Sequence, residues 1–379
     1  MLTTVAVRSS GRELTDIAHY ASYATAVGEK GLLPYRDFAL EYPPLALAVF
    51  LPPAIPPGTG AYYWLFVLQM AVLGAVGMLA TTASIGWLGR TTRRRRATLA
   101  LLAVSPVLFG SVVLTRFDLL PAAFVALATY LILTSRTRSG AVVLGLGVAS
   151  KLYPVVLLPL LATWCWKRWG RSEAFRVTIL TLGTASLVYL PFVLSSPEGV
   201  WSSLSRLFDR PLQIESLGAG VLIVMHQLVG LDVSVTSSYG SDNLFGDQTA
   251  LGARVLSVLA AAGLLWVYVG FARGRADDER LVRYVAASLL AFVAFGKLGS
   301  PQFLIWLLFP LALVGGRRGA TAATFFAVAA LATAVWYPWR YFDLYQLDPL
   351  VGSLVLVRGL ALVAALAVLL WPGTAGTRD

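Results

Sequence analysis

Cysteine is almost absent from this chain of 379 residues, where Cys165 is the single example. That excludes a disulfide framework and a cysteine metal site. Two histidines are too few for a histidine-rich centre. Charge is scarce too, at 13% of residues, about half of what soluble domains carry. With 58% hydrophobic residues and a mean hydropathy of +0.74, the chain reads as an all-α polytopic membrane protein. Acidic residues are the rarer sign, 19 against 30 Lys and Arg. The basic residues fall mainly in short runs between apolar segments, which excludes a nucleic-acid surface and makes them topology signals. The first 43 residues hold neither a signal-peptide apolar stretch nor a spanning segment. Internal repeats and low-complexity linkers are lacking, so one domain over 1–379 is the economical reading.

What is present alternates cleanly. Pro43 to Ile55 is apolar but proline-interrupted and too short to span, so it should lie on or dip into the outer leaflet. Ala61 to Leu88 is the first full span, and Arg90 with Arg93 to Arg96 behind it predicts a cytoplasmic end. Crossings then follow at Leu99 to Leu114, Leu119 to Leu133, Val142 to Ser150, Val155 to Trp166 and Arg176 to Leu194. Several are short, as tolerated where helices line a cavity. A long outer loop, 195–249, holds one apolar helix, Leu217 to Val229, read as re-entrant or interfacial. Five more crossings, Leu251 to Phe271, Leu281 to Phe295, Phe303 to Val314, Thr321 to Trp336 and Leu350 to Trp371, make about 11 and leave the C-terminus inside. The parts are thus an outer loop with juxtamembrane helices at 1–60, helix groups at 61–194 and 250–379, and the 195–249 loop between them.

The polar stretch from Asp16 to Leu47 stands out. It gathers Asp16, Glu29, Asp37 and Glu41 in a chain poor in carboxylates. Ser10 and Glu13 have capping-box spacing, and Leu14, Ile17, Ala21, Ala24 and Val27 recur at helical spacing. This predicts a short amphipathic helix with its apolar side on the bilayer and Asp16, Tyr20 and Tyr23 along the other. An ordinary interfacial helix would read the same way. Arg116, Lys151, Arg206, Arg210, Lys297 and Arg340 fall on the outer side, where topology gives no reason for them. They imply an anionic ligand there. Lys151 and Lys297 sit between apolar segments, so each either binds such a ligand, pairs with Asp118, Asp209 or Glu215, or snorkels to the interface. The aromatics Tyr20, Tyr35, Tyr42, Trp201, Trp336, Tyr337, Trp339 and Tyr341 are expected in an interfacial belt.

An Asp opening a helix with Tyr20 four residues on, then Pro34-Tyr35-Arg36-Asp37-Phe38 and Tyr42-Pro43-Pro44-Leu45 before an apolar helix, resembles the first outer loop of GT-C membrane glycosyltransferases. Thr-Arg-Phe-Asp-Leu-Leu-Pro at 115–121, Lys-Leu-Tyr-Pro at 151–154, Arg-Pro-Leu-Gln-Ile-Glu-Ser at 210–216 and Ser-Pro-Gln-Phe-Leu-Ile-Trp at 300–306 extend the likeness. The branch it is most similar to is glycosyltransferase family 87, the polyprenol-phosphate-mannose-dependent α-mannosyltransferases. The resemblance implies a GT-C-type bundle with an outer-face reaction loop, in a bacterial plasma membrane, acting on the extracytoplasmic side.

It also implies an inverting transfer of a sugar, mannose by analogy, from a polyprenyl-phosphate donor to a hydroxyl of a glycolipid or glycan, with no cofactor and no metal. Such a reaction needs one base and cations for the departing phosphate. By family register the base is Asp16, with His226 as a partner or as a buried structural histidine. Substrate contacts are assigned to Tyr20, Asp37, Glu41, Tyr42, Arg116, Asp118, Lys151, Tyr153, Arg210, Gln213, Glu215, Lys297 and Gln302. Asp37 and Glu41 could equally fix the loop, and Asp118 could pair with Arg116. Similar enzymes place a helix directly before the residue matched by Asp16, so a missing first helix, making about 12 crossings, is expected upstream. The competing readings are a lipid or sugar-lipid transporter and a purely structural membrane subunit.

Overall fold

The computed structural model describes residues 15–55, 59–110 and 112–371. The capping pair Ser10 and Glu13, and Leu14, lie outside the described residues. The chain is mostly helical and forms two compact units, 1–106 with 110–209, and 107–109 with 210–379. Among the described residues five helices are long and apolar enough to cross a membrane. The polytopic all-α expectation holds.

In the first unit, α1 (Ile17–Gly28) leads through a polar loop to a broken apolar segment, with 3-10 turns at Pro44–Ala46 and Pro52–Ala54 around the short α2 (Leu47–Phe50). Its prolines remove the amide donors a continuous helix would need. Then come α3 (Thr59–Trp87), α4 (Thr92–Phe109), the one-turn α5 (Val112–Thr115), α6 (Leu119–Leu133), α7 (Thr137–Ser150), α8 (Leu158–Trp169) and α9 (Arg171–Ser195). The expected crossing at 99–114 is two pieces, because the chain turns at Gly110, whose φ is 60°. α3 packs on α6, α6 on α7, α7 on α9 and α9 on α8. A final amphipathic helix, α10 (Pro197–Asp209), falls in what the sequence predicts as loop.

α10 straps the polar loop. Ser196 Oγ donates to the Tyr35 carbonyl at 3.1 Å and Ser203 Oγ to the Leu40 carbonyl at 2.7 Å. Gly199 permits this approach, since a Cβ there would lie 1.9 Å from the Tyr35 oxygen. Tyr35 itself has φ 66°, and its hydroxyl donates to the Tyr42 carbonyl at 2.6 Å.

The second unit centres on α17 (Pro349–Leu370), against which α11 (Leu217–Val229), α13 (Asp278–Ala294) and α15 (Gly316–Trp336) pack. Gly220, Gly352 and Gly359 bring α11 and α17 close: a Cβ at Gly220 would sit 2.8 Å from the Leu356 nitrogen. Small residues are how helices achieve such contact without a large side chain between them. The 217–229 helix therefore packs along a span instead of lying at the interface. α12 (Thr249–Arg273), α14 (Ile305–Leu313) and the short α16 (Tyr341–Tyr345) complete the unit. A hairpin not foreseen in the sequence, β1 (Ser234–Ser238) and β2 (Ser241–Phe245), lies in the predicted outer loop.

Two expectations are corrected. The α1 face that turns inward carries Tyr20 and Tyr23 along with Ile17 and Ala24, because the two rings offer far more apolar area than the alanines. Tyr35, Trp336, Tyr337 and Tyr341 are likewise buried instead of forming a belt, whereas Trp201 and Trp339 are exposed.

Candidate active site

In the first unit, seven of the expected site residues come together. Asp16 occupies the N-cap position of α1 without capping it. Its carboxylate instead accepts from the Tyr20 hydroxyl at 3.2 Å and pairs with the Arg116 guanidinium. Arg116, Phe117 and Asp118 form the turn between α5 and α6, so neighbouring charges point to different partners. Arg116 reaches Asp16, while Asp118 meets the Lys151 ammonium at 2.6 Å. Of the pairings open to Asp118 in the sequence, the one with Lys151 is formed. Lys151 follows the last residue of α7, in extended backbone, and its ammonium lies 4.5 Å from the Phe117 ring centre.

Aromatic rings floor this cluster. Tyr20 stacks on Phe50 at 4.3 Å, and Tyr42 meets Phe117 edge-on at 5.0 Å. Burial pushes the Tyr20 phenol well up, and Tyr42 and Asp118 add to it. The Tyr153 phenol is raised in the same way by burial, then by Asp118. Both tyrosines are thus neutral donors throughout the working pH range. Exposure is graded: the Asp118 side chain is 1% exposed, Arg116 12%, Lys151 17% and Asp16 31%. Of the two carboxylates in this cluster, Asp16 is the more exposed.

Glu41 and Asp37 are set differently. The Tyr23 phenol is pushed up to about 12, first by burial and then by the charge of Glu41, and it bonds His19 Nε2 at 2.8 Å. Asp37 accepts the Leu33 amide at 2.8 Å and pairs with Arg36 at 2.9 Å. Those bonds hold its carboxyl below the usual range, Arg36 first and the Leu33 amide second. It fixes the loop.

The second unit holds the remaining residues around an arginine that the sequence reading passed over. Arg358, within α17, is 2% exposed. It donates to the carbonyls of Glu215 (3.3 Å), Ser300 (3.1 Å) and Gly299. Gln213 ties the same two segments: its Oε1 accepts the Gly299 amide at 2.8 Å, and its Nε2 donates to Ser300 Oγ at 2.8 Å and to Glu215. The Lys297 carbonyl accepts the Gln213 amide at 3.0 Å. β2 braces this segment from its other side, through Ile214 N to Asp242 O and Leu244 N to Leu212 O. Arg210 and Gln302 are half-buried in the flanking turns. His226 stands apart. It lies near the opposite end of α11, about 15 Å along the axis from Ser216. Its Nδ1 donates to the Leu231 carbonyl at 2.6 Å, closing the helix C-terminus. The signal for Arg358 was a lone charge inside an otherwise apolar run.

No curated protein sequence matches the chain. Residues 40–301 match the sequence model of glycosyltransferase family 87. That range takes in Glu41, Tyr42, Arg116, Asp118, Lys151, Gln213, Glu215 and Lys297, and begins after Asp16 and Asp37. The chain belongs to glycosyltransferase family 87.

Proposed function

We propose that the protein is an inverting hexosyltransferase that moves mannose from a polyprenyl-phosphate donor to a hydroxyl of a glycolipid or glycan on the outer face of a bacterial plasma membrane. The observation that carries this reading is the reachable carboxylate of Asp16 beside the Arg116 guanidinium. Asp16 takes the acceptor proton as the acceptor oxygen attacks the anomeric carbon. The anomeric bond to phosphate oxygen breaks on the opposite face, and its electron pair leaves with the polyprenyl phosphate. Arg116 and Lys151 offset the charge that develops there. A phosphate leaving group needs little protonation, so one carboxylate suffices and neither a second carboxyl nor a metal is required. Tyr20 and Asp118 hold the base and the lysine in place. The basic runs at the other ends of the spans support the outer location.

The test is a donor panel with purified protein in detergent: polyprenyl phosphates bearing mannose, glucose or arabinose, and a nucleoside-diphosphate mannose, each with a glycolipid acceptor. Mass spectrometry should show mannosylated acceptor and free polyprenyl phosphate. Transfer only from the nucleotide sugar would contradict the donor assignment, and donor movement between leaflets without bond cleavage would overturn the reading altogether.

A further inference from the structure

At the end of the first unit away from Asp16 lies a recess of about 570 Å³. α7 separates the two: Arg138 is in its first turn and Lys151 directly follows its last residue, about 20 Å apart at the rise of an α-helix. The recess is lined by the turn before α7, the first turn of α7, Trp169 at the end of α8 and the first turns of α9. Two helix N-termini therefore face it, each favouring an anion. Arg136, Arg138 and Arg176 line it together with a single carboxylate, Glu173, an excess of two positive charges.

The carboxylate organises the cup. Glu173, 13% exposed, accepts the Thr137 hydroxyl at 2.6 Å and the Arg176 guanidinium at 3.2 Å, with Arg138 at 3.6 Å. The two guanidiniums nevertheless stay 64% and 53% exposed, so most of their donors remain available to something arriving from outside. A second observation says what that is. Phe175, Ile179 and Leu182 are all exposed on α9, at the spacing of one helix face, and the stripe runs away from Arg176 along the span. At the rim, the Arg168 guanidinium lies 4.9 Å from the Trp164 ring and 5.6 Å from Trp169, the aromatic-cation pairing typical of a membrane interface.

We propose that this recess binds the phosphate headgroup of an anionic glycerophospholipid, its acyl chains lying along Phe175, Ile179 and Leu182. Basic pockets between membrane helices select such headgroups because several fixed cations meet one phosphate where water is partly excluded. The apolar stripe gives a lipid an advantage over a free phosphate ester of equal charge. The site does not depend on the sugar-transfer reading.

Binding is read by native mass spectrometry of the purified full chain, titrated with phosphatidylglycerol, phosphatidylcholine, glycerol 3-phosphate or inorganic phosphate. Phosphatidylglycerol should bind at least about tenfold more tightly than phosphatidylcholine, a gap of about 1.4 kcal/mol. The double variant Arg138→Gln/Arg176→Gln should close that gap. Arg93→Gln/Arg96→Gln, which removes equal charge from the run opening α4, should leave it within about twofold. Should the first pair fail to fold, Arg136→Gln, outside the Glu173 network, should still narrow the gap. Equal loss in both double variants would show diffuse attraction and overturn the site. So would equal binding of the two lipids, or inorganic phosphate and glycerol 3-phosphate competing as well as the lipid does.

Discussion

Among the described residues, the charges around Asp16 and around Arg358 are buried on opposite terms. Around Asp16, cations meet carboxylates, and the side chains keep between 12% and 31% exposure except for Asp118. Around Arg358, one guanidinium that is 2% exposed meets three backbone carbonyls. A reachable ion pair can exchange one partner for a substrate group at modest cost, because a new charge replaces the old. An arginine that donates to three backbone carbonyls fastens two polar segments to a membrane span. The first arrangement suits chemistry and the second suits architecture.

The comparison is broken or sharpened by a graded set of substitutions. The largest effect on stability should come from Asp118→Ala, which takes from the Lys151 ammonium the buried carboxylate at 2.6 Å and should cost about 3 to 5 kcal/mol in denaturation. The double variant with Lys151→Met should recover more than half. A cost below about 1 kcal/mol would mean that the pair behaves as an exposed one. Next, Arg358→Met should cost about 1 to 3 kcal/mol through stranded carbonyls, with turnover per folded molecule within a few-fold of the parent. Normal folding with abolished turnover would place chemistry at the second site and break the contrast.

Smaller effects probe the strap over the loop. Ser203→Ala removes the hydroxyl that holds the Leu40 carbonyl and should cost about 0.5 to 1.5 kcal/mol, read as faster amide exchange at 33–41. Unchanged exchange would show that α10 does not restrain the loop. Asp37→Asn should be smallest of all, with transfer rate almost unchanged, since this carboxylate is spent on Arg36 and the Leu33 amide. Because those bonds depress its folded-state pKa, its hold on the loop is present above the usual Asp range and fades as pH falls through the depressed value. Rapid amide exchange at 33–37 appearing only at acid pH checks this.

The long apolar runs made α3, α9, α12, α15 and α17 legible to within a few residues, since a span needs about 20 apolar residues and little else reads that way. The broken entry at Pro44 was legible for a related reason: it opens a 3-10 turn with proline where an amide is dispensable. The hairpin was missed although its signals were present, alternation through Val233, Val235 and Ser237 and a two-residue turn at Tyr239 and Gly240, both at positive φ. α10 was missed because its serines and glycine read as loop. Within the site, residue types were legible and partners were not. Asp16 and Arg116 are separated by the whole of α3 and α4, so their pairing is a fact of packing. His226 carried a plausible type and no supporting geometry, and the structure shows it closing a helix.

The most direct test compares single-turnover sugar transfer by Asp16→Asn, Glu41→Gln and Asp118→Asn, each corrected for the folded fraction and for donor bound. Asp16→Asn should bind donor almost normally and transfer on the order of 100-fold to 10,000-fold more slowly, the contribution of a positioned base, while Glu41→Gln keeps most of its rate and Asp118→Asn loses mainly stability. Near-normal transfer by Asp16→Asn alongside a dead Glu41→Gln would contradict the account.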